Sequence, residues 1–165
     1  METNVLKPAL ISLAAVLALA PAALAAPITP EAAADVLRAA GDTDVVVNEA
    51  SDSSVRIDAS RDGIFYSVRL FGCDETSTCE GVMIFATYAE PGALDLSVYE
   101  RNNLYNDSFP FGRGFLLPGD EGDGTYTIGL DYSIDLGGEA TFDNSDVELF
   151  FGALGAYVVH MESAE

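Results

Sequence analysis

At 165 residues and 49% apolar content, the chain is too hydrophobic to be disordered and long enough for one domain with a real core. Its 27 Asp and Glu against seven Lys and Arg leave a net charge of −20, which repels nucleic acid backbones and anionic membrane surfaces and argues against both as partners. Such a surface favours basic partners or cations, or serves only to keep the protein soluble.

The first 25 residues are set aside from the fold. A short polar stretch carrying Lys7 precedes an apolar run from Pro8 to Leu19, then Pro21 and the small-residue triplet Ala23-Leu24-Ala25. That order predicts a secretory signal peptide over 1–25, cleaved between Ala25 and Ala26. The competing reading is a membrane anchor, but the run is short for a span and Pro21 interrupts its end. Residues 26–165 then form one exported domain, periplasmic or secreted, in which every base is an arginine apart from His160.

The segment "ITPEAAADVLRAAGD" predicts a helix with Thr29 as N-cap, Pro30 at the first helical position and Gly41 as the left-handed stop. Ala33, Val36, Leu37 and Ala40 share one face. Two strands follow, "DVVVNEA" and "SVRIDAS", then the Asp62-Gly63 hairpin turn. "IFYSVRLFG" and "GVMIFATYA" are apolar on both faces in places, which puts them mid-sheet. Pro91-Gly92 ends that run. A helix begins at Leu94/Asp95, with Leu96, Tyr99, Asn103 and Leu104 at helical spacing, and Pro110 and Gly112 close it. "RGFLLP" is a short strand, and "PGDEGDG" an acidic turn. In "TYTIGLDYSIDL" Tyr126, Ile128, Leu130, Tyr132, Ile134 and Leu136 alternate with polar or small residues, which means an antiparallel sheet with one buried face.

A helix from about Asn144 to Glu162 completes the order α-β-β-β-β-α-β-β-α, an α+β fold in one domain. Its core stripe is Val147, Phe150, Phe151, Leu154, Tyr157, Val158 and Met161. The other side carries Leu149, Gly152, Ala153, Gly155, Ala156 and Val159 where a charged face is expected. Two interior glycines cost a helix roughly 1 kcal/mol each against alanine, so either another part of the chain or a second copy is expected to cover that side.

Cys73 and Cys79, the only cysteines, lie between the two central strands. In an exported protein they read as a structural disulfide, against a labile redox bond or free thiols. The spacing is wrong for a two-residue redox motif, and zinc wants four ligands. Closing this seven-residue loop is worth about 2.4 kcal/mol in the chain-entropy model. With one histidine, no two-imidazole site can form, and His160 near the end of the last helix suits a capping or surface role. Asp131 and Asp135 share a strand face, but there is no tryptophan platform for glycosidase chemistry. The acidic runs at Asp120–Asp123 and Asp143–Asp146 could hold calcium, yet neither has EF-hand spacing. No nucleotide loop, nucleophile elbow or zinc-protease motif occurs. No enzyme and no cofactor is expected.

Together, "FYSVRLFGCDETSTCEGVMIFATY", "NNLYNDSFPFGRGFLL", the acidic turn and "IGLDYSIDLGGEAT" resemble the YbjN-like family of bacterial sensory transduction regulators. Cys73, Cys79, Asn103, Tyr105, Asn106, Phe111, Gly112, Arg113, Phe115, Gly137 and Gly138 occupy its motif positions. Tyr105 stands where the family usually has Trp, and "SFPFG" replaces an Arg-Phe-Gly run. The resemblance implies a fold similar to type III secretion chaperones, small acidic dimers that bind other polypeptides without catalysis. The expected function is therefore a non-enzymatic interaction or chaperone-like module. Its partner would be another protein or a second copy, held at Leu149, Gly152, Ala153, Gly155 and Ala156. The rival expectation is a binder of small molecules or calcium at Asp120–Asp123.

Overall fold

The alternation in 125–136 demands a sheet with one dry face, and the computed structural model supplies it. It describes residues 27–51, 53–119, 124–137 and 140–163. The elements are α1 (Pro30–Ala39), β1 (Thr43–Ser51), β2 (Ser54–Arg61), β3 (Ile64–Cys73), β4 (Cys79–Pro91), α2 (Leu96–Ser108), β5 (Arg113–Pro118), β6 (Thr125–Asp135) and α3 (Asn144–Glu162). This is the order expected from the sequence. The strands form one six-stranded sheet in the order β1-β2-β3-β4-β6-β5, antiparallel at every pairing. The doubly apolar strands β3 and β4 are its two middle strands, as their sequences require.

Register sorts the side chains. Ile57 pairs with Val68 and Val68 with Ile84, and these residues are fully buried together with Leu70, Val82, Leu130, Phe150 and Leu154. All three helices pack on that face. The next row runs Asp58, Ser67, Phe85, Asp131, Arg113 across five strands and belongs to the opposite face, which no helix covers.

Local chemistry sets the ends of the elements. The Thr29 hydroxyl accepts from the Ala32 N–H at the start of α1, and Gly41 beyond its end sits at φ +90°. Asp62 and Gly63 both take positive φ, the twist that a two-residue hairpin needs. Where α1 hands over to β1, the buried Asp42 carboxylate accepts both Arg61 Nε (2.7 Å) and Nη2 (2.8 Å) from the end of β2. The Arg61 guanidinium also lies 5.0 Å over the Phe151 ring on α3, so one side chain joins three elements.

Cys73 and Cys79 stand opposite each other on β3 and β4 and are disulfide-bonded, with Cα atoms 3.9 Å apart. The structural-disulfide expectation holds. Asp74 organises the intervening loop, accepting from Thr76 N (2.8 Å) and Thr78 N (3.0 Å), and these bonds, Thr78's first, hold its carboxyl below the usual range. Ile28 exchanges two backbone hydrogen bonds with Cys79, tying the start of the described chain to the bridged hairpin.

Candidate interaction site

The helix α2 turns its larger apolar side chains outward. Leu96, Tyr99, Asn103 and Leu104, which mark the helix by their spacing in the sequence, lie on its outer side: Leu96 is 71% exposed and Leu104 55%, and Tyr99 and Asn103 are exposed too. The buried residues are Val98, Asn102 and Tyr105. Polar bonding explains the rotation. Asn102 donates from Nδ2 to Gly114 O (3.1 Å) and its Oδ1 accepts from Tyr157 OH (2.9 Å). Asn106 donates to the same carbonyl (3.0 Å) while its Oδ1 accepts from Gly114 N (2.7 Å). The buried Asn102 carboxamide satisfies the Gly114 carbonyl at one end and the Tyr157 hydroxyl at the other, polar groups that an apolar side chain there would leave unpaired. No Cβ fits at Gly114, since it would strike Asn102 and Tyr157; that explains a glycine within β5.

The family positions thus fall into two groups. Tyr105 and Asn106 build the α2–β5 corner, with Tyr105 fully buried and its hydroxyl donating to Ala153 O on α3 (3.1 Å). Phe115 lies flat across Gly129. Arg113 pairs with Asp131 at 2.7 Å on the open sheet face, and Gly112 (φ +75°) brings the chain into β5. Asn103 stays on the outer side of α2, and its neighbour Asn102 does the work inside. Gly137 donates to Asp135 Oδ1 (2.9 Å), and Gly138 lies outside the described residues. His160 does not cap its own helix: its Nε2 bonds the Arg101 carbonyl (2.9 Å), while Arg101 Nη1 donates to Met161 O (3.0 Å). This reciprocal clasp joins α2 to α3. Asn102 and Arg101 were not singled out in sequence, and Tyr157 was read only as a core residue; for Asn102, a polar residue four positions from Val98 and three from Tyr105 was the available signal.

Above the corner lies an apolar groove of about 300 Å³, lined by Tyr105, Phe109, Phe111, Leu149, Gly152 and Ala156 among others. Phe109 stacks on Tyr105 (centroids 4.5 Å apart), and Phe111 is half exposed. Of the five α3 residues expected at an interface, Leu149, Gly152, Ala153 and Ala156 line this groove. Gly155 is exposed beside it. A Cβ at Gly152 or Gly155 would meet nothing within 4 Å, so among the described residues no part of the chain covers them.

The carboxylates of the 143–146 run are occupied structurally. Asp143 caps α3 and, with Asp146, completes a capping box; bonds from Ser145 hold the Asp143 carboxyl low, whereas burial raises that of Asp146. Among the described residues no group of His, Cys, Asp and Glu could hold a metal ion. Asp120–Asp123 lie outside them. No described helix is long and apolar enough to cross a membrane.

The model of the YbjN family, described as "Putative bacterial sensory transduction regulator", matches residues 29–151, and the chain belongs to that family. The description of that family is regulatory. Among solved structures, the crystal structure of YbjN, "a putative transcription regulator from E. coli", is similar at 15% identity and a TM-score of 0.43, covering 77% of this chain and 83% of that one. No curated protein matches.

Proposed function

We propose that the protein is an exported adaptor of the YbjN family that regulates by binding another polypeptide in the α2–α3 groove, on a fold of the type III secretion chaperone kind. The observation that carries this is the groove itself: aromatic walls at Phe109 and Phe111, and a floor on α3 of small residues, with Gly152 uncovered by any described residue. Small floor and aromatic rim suit an inserted apolar side chain, the kind of pocket that holds a partner's anchor residue. With a net charge of −20 around it, the favoured partner segment is apolar residues flanked by Lys or Arg. The disulfide fits an oxidising compartment, and cleavage after Ala25 would deliver residues 26–165 there.

Gly152→Leu tests the reading. Its side chain has open space, and replacing a helical glycine raises helix stability by up to about 1 kcal/mol, so the variant should fold at least as well as the parent. It fills the groove, and polypeptides captured from periplasmic extract by the parent should be lost. Capture unchanged by Gly152→Leu would overturn the assignment of the groove.

A further inference from the structure

The sheet face without helices has a charge balance unlike the rest of the chain. Among the described residues it carries Arg56, Arg69 and Arg113 against Asp44, Asp58, Asp131 and Asp135. Half of the chain's six arginines are therefore here, and this face contributes −1 to a total of −20. The signs are interleaved: Arg56 pairs with Asp58 at 3.1 Å and Arg113 with Asp131 at 2.7 Å, while Arg69 lies 5.9 Å over the Phe85 ring.

The face is also apolar between those charges. Phe71 lies over Gly81 and Phe115 over Gly129, and at neither glycine is there room for a Cβ. A strand glycine of this kind marks a close approach, here of a ring laid down on the backbone. Phe65 is 75% exposed and Phe71 38%. Six strands spaced about 4.8 Å apart and roughly 25 Å long give a face of about 700 Å², close to the ~800 Å² per partner of a stable interface.

We infer that this face is where a second copy of the chain docks, sheet against sheet. Two molecules of charge −20 repel wherever their acidic surfaces meet, and a two-fold interface sets a patch against itself. A patch of one sign fails that condition, while one of interleaved Arg and Asp around exposed rings meets it. Flat rings allow the roughly 10 Å spacing of packed sheets. The surface lies across the sheet from the groove on α3, so the inference stands apart from the partner assignment.

Sedimentation equilibrium of the purified protein from about 1 to about 200 μM should show a monomer–dimer equilibrium. Phe65→Asp and Arg69→Glu, both at exposed positions, should each weaken it at least about tenfold with the melting transition retained. Gly152→Leu should leave it unchanged. Monomer throughout the range, or a dimer that Gly152→Leu breaks and the two sheet variants do not, overturns the inference.

Discussion

Asn106 and Gly114 show how much of this protein rests on single polar contacts. The Asn106 carboxamide holds Gly114 at both its N–H and its C=O, so Asn106→Ala should destabilise by about 1–3 kcal/mol in urea titration; an unshifted midpoint would remove the corner's role. Part of the acid response is set at the α3 cap. Bonds from Ser145 keep the folded Asp143 carboxyl below its ordinary value, so its stabilising contribution is complete above the ordinary carboxylate range. It is lost as pH falls through the lowered folded value. Asn also caps helices but does not titrate here, so Asp143→Asn should flatten the acid limb of a melting-temperature profile below about pH 4. Asp146, raised by burial, works in the opposite sense and protonates first. At this scale the sequence was only partly legible. The run at 143–146 could equally be read as a cation loop, because a capping box and a calcium ligand set use the same residue types. Asn102 was missed because a buried carboxamide leaves no apolar signature.

Among the elements, the joint of α1, β2 and α3 depends on Arg61. Removing it strands the buried Asp42 charge and the ring contact to Phe151, so Arg61→Ala should cost about 3–5 kcal/mol, read as a lower urea midpoint; a loss below about 1 kcal/mol would mean the pair is solvated like a surface pair. Reduction of Cys73–Cys79 should lower stability by about 2.4 kcal/mol with the circular dichroism of the sheet retained, and loss of the sheet on reduction would contradict its role as a staple. Strands were the most readable elements, since period-two alternation, Asp-Gly turn chemistry and the doubly apolar β3 and β4 all point to one sheet. The helix α2 was readable in extent and not in rotation. Its outer face carries Leu96, Tyr99 and Leu104, and hydrogen bonding to β5 outweighs the transfer of those side chains.

For the whole molecule, the charge of −20 acts through where it is absent. The open sheet face and the α3 groove both offer exposed aromatic surface, and neither was legible as a site in the sequence beyond the smooth side of α3, because both are assembled from β2 to β6 and from α2 with α3. Export makes a separate prediction: intact-mass measurement of the protein recovered from the periplasm should give a chain beginning at Ala26 with its thiols oxidised, and recovery in the cytoplasm with residues 1–25 attached would refute it. The central claim is that the protein works by holding a polypeptide in the α2–α3 groove. The most direct measurement places a photoreactive phenylalanine at Leu149, with exposed Glu31 on α1 as the control, and irradiates living cells. A discrete protein adduct from position 149, absent from position 31 and suppressed when Gly152→Leu is added, is the predicted result; no adduct at 149, or the same adducts from both positions, would contradict it.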